Sequence, residues 1–211
     1  MSAPAQPRLT GVPLADSPRV LLLVDWIRTF DHKEAEQLCE PALQAARRTA
    51  DLKERLAQAG VQAIYANDNY GVWRSDFRGL LGACAARGGV SAEIARLLSP
   101  EPQDIAVLKA RHSAFYETPL QILLQQLKVR ELVVVGIATE WCVLFTAMDA
   151  YVRGYSLWVP ADCVASPYSE RHRAAIRYME EVLGANVTAS DAVDEAQFAA
   201  LDAESERPRF P

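Results

Sequence analysis

The sequence lacks the long apolar runs and the basic clusters that mark membrane proteins and nucleic-acid-binding proteins. No apolar run approaches the roughly 18 residues that a transmembrane helix requires. Lysine and arginine total 22 against 27 acidic residues, a net charge of −5. We therefore expect neither nucleic acid nor a membrane as a partner. Residues 1–8 also lack the apolar segment of a secretory signal, which predicts a cytoplasmic location.

Metal-binding cysteine and histidine motifs are also missing. The four cysteines form no C-x-x-C pair, and the three histidines form no H-x-H or H-E-x-x-H arrangement. Without a secretion signal, free thiols are expected rather than disulfides. We expect Cys39, Cys84 and Cys163 to be small buried residues. Cys142 differs from these three because of its position in the predicted fold.

Short apolar runs alternate with amphipathic helical segments along the chain. Half of the 211 residues are apolar and 23% are charged, which is typical of a folded domain. Continuous rather than alternating apolar runs indicate strands that are covered by helices on both faces. The repeated strand–helix order predicts one α/β/α domain with a parallel sheet. We place this domain at residues 18–202, between tails at 1–17 and 203–211.

The boundaries of the predicted elements follow from the apolar pattern and from capping residues. Five strands are expected at 19–25, 61–66, 105–108, 132–135 and 155–159, and a weak edge strand at 186–188. Helices are expected at 40–59, 91–98, 118–128, 140–153 and 170–184. Glycines end three of these helices, and Thr118 caps the helix whose first turn contains Pro119.

Three reactive side chains follow three different predicted strands. Asp25 ends the first strand, Lys109 ends the third, and Cys142 opens the helix after the fourth. Because the carboxyl ends of parallel strands share one edge of a sheet, we expect the three to meet there. A helix N-terminus and a nearby ammonium favour a thiolate, and a carboxylate can transfer protons. The pattern predicts a nucleophilic cysteine, although a helix cap, a solvated lysine and an inert thiol are the alternative readings of each residue alone.

Three segments of the chain resemble the isochorismatase-like cysteine hydrolases, a superfamily that includes nicotinamidases, N-carbamoylsarcosine and ureidoacrylate amidohydrolases, and isochorismatases. The resemblance covers residues 19–190 approximately. The segments are VDWIRTF at 24–30, KARHSAFYETPL at 109–120 and GIATEWCV at 136–143. The resemblance implies a three-layer, Rossmann-like α/β/α sandwich with a six-stranded parallel sheet, and assembly as a dimer or tetramer.

The resemblance also implies a role for each matching residue. Asp25 would be the general acid and base, Lys109 the cation that activates the thiol, and Cys142 the nucleophile. The peptide bond between Ile137 and Ala138 would be cis. The amide N–H groups of Ala138 and Cys142 would then bind the oxyanion.

Two departures from the family pattern limit what is carried over. The first motif commonly continues with Gln-Asn-Asp-Phe, but here Ile27, Arg28 and Thr29 replace the polar residues. The nicotinamidase branch carries an Asp-x-His metal site after the second strand, and here Tyr70 stands where histidine belongs. Imidazole is the missing ligand type, so we predict no metal, no other cofactor and no nicotinamidase activity. The alternative at this position is a cation that is held by oxygen ligands near Asp68.

Six aromatic residues lie close in sequence to the reactive ends of the strands, and we expect them to form a substrate pocket with core packing as the alternative. They are Trp26, Phe30, Tyr70, Trp73, Phe115 and Trp141. Arg74 and Arg111 are candidates for binding a substrate carboxylate, with surface solvation as the alternative. Asp162, just past the fifth strand, is expected to anchor a loop.

The sequence therefore predicts an enzyme that acts on a small molecule. The leading hypothesis is a metal-independent cysteine hydrolase that cleaves the C–N bond of an amide or ureido compound through a thioester. The alternatives are an isochorismatase-type vinyl ether hydrolase and a non-catalytic binding protein on the same fold. Because an ammonium is unfavourable to bury, we also predict that Lys109→Met spares folding while it lowers thiol reactivity.

Overall fold

The computed structural model describes residues 14–74 and 76–192. Most of the predicted tails at 1–17 and 203–211 lies outside these ranges. The strands are β1 (Arg19–Val24), β2 (Gln62–Asp68), β3 (Ile105–Lys109), β4 (Glu131–Ile137), β5 (Ser156–Trp158) and β6 (Val164–Ala165). The α-helices are α1 (Ala35–Gln58), α2 (Phe77–Arg87), α3 (Gly89–Leu97), α4 (Leu120–Gln126), α5 (Leu144–Val152) and α6 (Ser169–Glu181). Shorter turns are a π-helical turn (Thr139–Val143) and 3-10 turns at Ala161–Cys163 and Ser190–Ala192.

The strands form one parallel sheet in the order β3-β2-β1-β4-β5, and β6 extends the pairing along the end of β4. β1 and β4 are the central pair, and each is buried on both faces. The predicted six-stranded parallel sheet is confirmed. Among the described helices, none has both the length and the apolar character that crossing a bilayer requires.

The core divides into two layers because alternate residues of β1 face opposite sides of the sheet. Val20 and Leu22 belong to the cluster that includes residues of α4, α5 and α6. Leu21 and Leu23 belong to the cluster that includes residues of α1 and α3. Burying each such side chain contributes about 1.5–3 kcal/mol. The three-layer α/β/α arrangement thus fixes β1 firmly and with it the residues that follow β1.

Several predicted boundaries differ from the structure. The edge strand predicted at 186–188 is reduced to one bridge, between Trp158 and Asn186, and the sixth strand is instead the two-residue β6. α1 begins before the predicted residue 40 and runs through Pro41. The sequence pattern does not predict α2, since glycines interrupt its apolar face; Asp76 caps that helix by accepting from the Gly79 N–H at 2.7 Å.

All four cysteines are free thiols, as predicted. Cys84 and Cys163 are buried in the layer that contains α1, whereas Cys39 is half-buried at its edge. Burial raises the pKa of Cys163 to about 12, with the Asp162 carboxylate as a further cause. The Cys163 thiol is therefore protonated and unreactive near neutral pH.

Candidate active site

Asp25, Lys109 and Cys142 meet at the carboxyl edge of the sheet. The Lys109 ammonium lies 2.7 Å from the Asp25 Oδ2 and 3.6 Å from the Cys142 Sγ. It also donates to the backbone carbonyl of Arg111 at 3.0 Å. The three residues are 4%, 1% and 9% exposed, respectively. The ammonium thus bridges a carboxylate and a thiol inside the protein.

The parallel sheet sets this geometry through backbone pairing. Lys109, the last residue of β3, is the register partner of Asp68 at the end of β2. The Asp68 N–H donates to the Asp25 Oδ1 at 2.7 Å, which ties β2 to the residue after β1. Asp25 itself has a φ of 53°, in the left-handed region that aspartate tolerates better than most residues. Each strand end therefore helps to orient the carboxylate.

Gly136 brings β4 unusually close to β1 just before the cysteine segment. Its φ is 148°, and a Cβ at this position would lie 2.2 Å from the Val24 carbonyl oxygen. Only glycine fits such a contact. One residue further along the chain, the peptide bond between Ile137 and Ala138 is cis. The Ala138 carbonyl then accepts from the Trp141 N–H at 3.0 Å, within the turn that presents Cys142.

The ionisation of the cluster differs from what the sequence predicts. Burial alone would lower the pKa of Lys109, but the Asp25 carboxylate and the Cys142 thiol outweigh burial and raise that pKa. Burial and the negative charge of Asp25 raise the pKa of Cys142 well above that of an ordinary thiol, and Lys109 opposes them only in part. This direction is the opposite of the lowered thiol pKa that the sequence predicts. Because Asp25 already pairs with the ammonium, little of the lysine charge is left for the sulfur.

His112 is a neighbour of the thiol that the sequence reasoning missed. Its Nδ1 lies 3.6 Å from the Cys142 Sγ. The imidazole packs against the rings of Trp141 and Phe145, with centroid distances of 5.1 and 5.6 Å. The available signal was its position three residues after Lys109, inside the segment that carries the family resemblance.

A cavity of about 350 Å³ opens beside Cys142, a size that suits a small ligand. Its walls are formed by Asp25, Arg28, His32, Glu34, Leu38, Asp68, Tyr70, His112, Ala138, Glu140, Trp141, Cys142, Pro167, Tyr168 and Arg171. Asp25 and Cys142 line this cavity, whereas Lys109 lies behind its wall. The lining combines aromatic rings with two guanidinium groups.

The predicted aromatic pocket is only partly formed. Tyr70 and Trp141 line the cavity. Trp26, Phe30 and Phe115 are buried in the two core layers instead, because their side chains point towards the helices. Trp73 is 81% exposed and lies outside the cavity wall.

The two arginines that were predicted to bind a carboxylate, Arg74 and Arg111, are exposed and do not line the cavity. Arg28 and Arg171 line it instead. Arg28 is half-buried, its Nη2 lies 3.2 Å from the His32 Nδ1, and its guanidinium lies 5.6 Å from the centre of the Phe30 ring. Its Nε is buried and has no hydrogen-bond partner in the described part of the chain.

The polar side chains at the end of β2 bind backbone groups. Asn67 accepts from the Ile27 N–H at 3.0 Å and donates to the Ile27 carbonyl at 2.7 Å, which joins β2 to the segment after β1. Asp68 accepts from the Tyr70 N–H at 2.6 Å, and Asn69 accepts from the Gly71 N–H at 2.9 Å. The bonds of Asp68 and Asn69 are turn-forming hydrogen bonds typical of aspartate and asparagine. Within residues 14–74 and 76–192, no group of three or more His, Cys, Asp or Glu side chains has the arrangement of a metal site.

Asp162 anchors a loop, as predicted. Its two carboxylate oxygens accept from the Ser190 N–H and the Ser190 hydroxyl, both at 2.7 Å. Since the carboxylate uses both oxygens on Ser190, it holds the 3-10 turn between β5 and β6 against the chain near residue 190. Asp162 does not line the cavity beside Cys142.

The fold and the cluster define a class of α/β protein in which a buried Asp–Lys–Cys group lies at the edge of a parallel sheet. The Isochorismatase domain family model matches residues 19–192, and the chain belongs to that family. The uncharacterised isochorismatase family protein YaaI of Bacillus subtilis is 37% identical over 182 residues, which cover 86% of this chain and 99% of YaaI.

The chain is also similar to two proteins whose activities are named. The ureidoacrylate amidohydrolase RutB of Methylobacterium radiotolerans is 42% identical over 101 residues, which cover 47% of this chain and 39% of RutB. A crystal structure of the N-carbamoylsarcosine amidase of Thermoplasma acidophilum superposes with a TM-score of 0.65 at 24% identity, covering 83% of this chain and 98% of that one. The second likeness concerns the fold alone.

Proposed function

We propose that this protein is a cysteine hydrolase that cleaves the C–N bond of a small amide or ureido compound through a thioester. The observation that carries the proposal is the buried ammonium of Lys109, which contacts both the Asp25 carboxylate and the Cys142 sulfur beside a small-molecule cavity. The name of RutB supports a C–N bond as the target.

In the proposed reaction, the Cys142 sulfur attacks the substrate carbonyl while the thiol proton passes to the Asp25 carboxylate. The carbonyl oxygen becomes negative, and amide N–H groups at Ala138 and Cys142 stabilise it. Collapse of this intermediate breaks the C–N bond, and the departing amine takes that proton from Asp25. Water then hydrolyses the thioester and restores the thiol. Lys109 stabilises the sulfur as it loses its proton.

We further propose that the substrate carries a carboxylate that binds Arg28. No carboxylate of the described residues lies within 4.0 Å of this guanidinium, and its Nε is buried without a partner. Of the four acids in the wall, Asp25 is paired with Lys109, and Asp68 accepts from a backbone N–H. Neither Glu34 nor Glu140 forms an ion pair with Arg28 among the described residues. A bound carboxylate would supply the acceptors that Arg28 lacks.

The proposed hydrolase is tested by measuring ammonia or amine release from a panel that includes ureidoacrylate, N-carbamoylsarcosine and simple primary amides. Wild type is expected to release product from at least one compound, and Cys142→Ala is expected to release none above background. Cys163→Ala is the matched control, because that thiol is buried away from the cavity. Equal release by wild type and Cys142→Ala would overturn the cysteine mechanism.

We also propose that the chain assembles as a dimer or tetramer. Trp141, Phe145, Met148 and Val152 follow a four-three-four spacing along one helical face and are 39–62% exposed. Such a stripe is complementary to a second copy of itself across a two-fold axis. Light scattering of wild type and of Met148→Glu tests this. A monomeric wild type, or an unchanged mass for the variant, would contradict the proposed interface.

A further inference from the structure

A second cavity, of about 480 Å³, lies between α1 and the start of α6 and shares Pro167 with the cavity beside Cys142. Part of its wall is apolar, from Pro41, Val164 and Pro167, and the rest is polar. A cavity that combines apolar surface with a few polar groups is typical of small-molecule sites. The proposed hydrolysis does not use this space, which we call the α1–α6 cavity.

The hydrogen-bonding groups of the α1–α6 cavity favour an anion. Asp162 is the acidic side chain in its wall, and both carboxylate oxygens already accept from Ser190. Arg48, also in the wall, forms one ion pair among the described residues, at 3.8 Å from the Asp191 Oδ2. The side chains of this pair are 56% and 66% exposed, so the contact contributes little. The carboxylate of the wall is therefore occupied, whereas the guanidinium keeps its donors for a ligand.

His172 is a second polar group of this wall, and it connects the cavity with the turn that presents Cys142. Its Nδ1 lies 2.9 Å from the hydroxyl of Thr139, the first residue of that turn. Burial lowers the pKa of His172, so the ring is neutral near pH 7. When the Thr139 hydroxyl donates to Nδ1, the ring proton is on Nε2, which can donate to a ligand.

We propose that the α1–α6 cavity binds a small organic oxyanion, which accepts from the Arg48 guanidinium and the His172 Nε2–H. A guanidinium donates two parallel hydrogen bonds to a carboxylate or to a phosphate, and the apolar part of the wall contacts the carbon skeleton. The bound anion adds negative charge behind the turn and disfavours the thiolate of Cys142. The anion is thus an inhibitor that acts outside the substrate cavity. Only this inhibition rests on the nucleophile of the proposed function.

The test is isothermal titration calorimetry with succinate and with glycerol 3-phosphate, near pH 7 and at low salt. Wild type is expected to bind at least one of the two at a single site. Arg48→Gln is expected to raise Kd about 10- to 100-fold. Asp191→Asn removes the competing carboxylate and is expected to lower Kd about two- to fivefold. The matched control is Arg47→Gln, because Arg47 is 60% exposed, pairs with Glu93 and lies outside this wall.

Three results would overturn the site. They are no binding of either anion by wild type, an equal Kd for Arg48→Gln and Arg47→Gln, and binding that Arg28→Met abolishes but Arg48→Gln keeps. The last result would assign the anion to the substrate cavity, whose wall contains Arg28. The difference between succinate and glycerol 3-phosphate shows whether the site prefers a carboxylate or a phosphate.

The inhibition is measured as the rate at which iodoacetamide modifies Cys142 near neutral pH, with the modified peptide identified by mass spectrometry. A saturating anion is expected to slow wild type by about twofold. His172→Leu is expected to bind the anion more weakly and to lose this effect. An unchanged rate at saturation would overturn the link to Cys142. The proposed function fails separately: ammonia release by Cys142→Ala would end it, yet would leave anion binding at Arg48 intact.

Discussion

β1 carries a buried ion pair at each end, and the two pairs serve different purposes. At the start of the strand, Arg19 pairs with Glu131, its register partner on β4. Just past its last residue, Asp25 pairs with Lys109. Both pairs join segments that are distant in sequence and both are largely shielded from water.

The surroundings of the two pairs explain the difference. The Arg19–Glu131 pair does not border the cavity that Cys142 lines, whereas Asp25 does. The Lys109 ammonium has the Cys142 sulfur as a third neighbour, and the sulfur in turn lies beside His112. A buried ion pair is therefore not in itself a site. At the other end of β1, the sheet edge adds a thiol and room for a ligand, and this is the end at which we propose catalysis.

The largest effect is expected from Lys109→Met. The change removes the cation beside the thiol and leaves the buried Asp25 carboxylate unpaired. Breaking one partner of such a pair destabilises a protein by about 3–5 kcal/mol, and we expect a loss of activity of about 100-fold or more. We therefore expect a loss of stability, where the sequence predicted that folding would be spared, because the structure pairs the Lys109 ammonium directly with the Asp25 carboxylate at 2.7 Å. Urea unfolding and product release measure the two effects.

Arg19→Met is the matched control at the other end of β1. It should destabilise the protein by a comparable mechanism but leave the activity of the folded protein unchanged. The double variant Asp25→Asn/Lys109→Met should recover stability without recovering activity. If Arg19→Met reduced activity as strongly as Lys109→Met in fully folded samples, the distinction between the two ends of β1 would be lost.

The next effect concerns how closely β1 and β4 approach beside the site. Gly136→Ala would place a methyl group 2.2 Å from the Val24 carbonyl oxygen, so the strands would have to separate. We expect a loss of about 3 kcal/mol in the free energy of unfolding. Gly82→Ala in α2 is the control, since a Cβ there meets nothing within 4 Å, and alanine favours a helix. Similar unfolding midpoints for both variants would contradict the close-contact argument.

A smaller effect is expected from Arg28→Met. If Arg28 binds the carboxylate of the substrate, its loss removes a charge-assisted hydrogen bond worth about 1.5–3 kcal/mol. KM for a carboxylate-bearing amide should rise about 10- to 100-fold, while kcat changes little and KM for a neutral amide is unaffected. Arg74→Met is the matched control because Arg74 is exposed outside the cavity wall. An equal KM for both variants would remove Arg28 from the binding site.

The cluster could be predicted from sequence because strand ends in a parallel sheet converge whatever the side chains are. The direction of the thiol pKa shift could not be predicted, since it depends on the burial of the sulfur and on the negative charge of the Asp25 carboxylate, both of which are set by the tertiary structure. Trp26 illustrates a second limit. It directly follows Asp25 in the chain, but its ring packs into the layer below α1, so proximity in sequence to a site residue did not place it in the cavity.

Short elements and loop contacts were also beyond the sequence pattern. β6 has two residues, too few for any periodicity, and is defined by its pairing with the end of β4. The contact of His112 with Cys142 depends on the conformation of the loop after β3. Both features lie at the carboxyl edge of the sheet, where tertiary contacts outweigh local preferences.

The smallest effect is expected from His172, behind the turn that presents Cys142. Its Nδ1 lies 2.9 Å from the Thr139 hydroxyl. Burial lowers the pKa of His172 below the ordinary 6.5, although the Glu140 carboxylate opposes this. The unfolded chain therefore binds this proton more readily than the folded chain. As the pH falls below 6.5 towards the folded value, the free energy of unfolding decreases; above 6.5 the contribution is fully present.

Urea unfolding at pH 7.5 and 5.5 should show a smaller pH-dependent loss for His172→Gln than for wild type. His32, whose pKa burial also lowers, contributes with the same sign, so part of the dependence should persist in His172→Gln and disappear only when both are replaced. An identical pH dependence for wild type and His172→Gln would mean that the ring behind the cysteine turn titrates alike in the folded and unfolded chains.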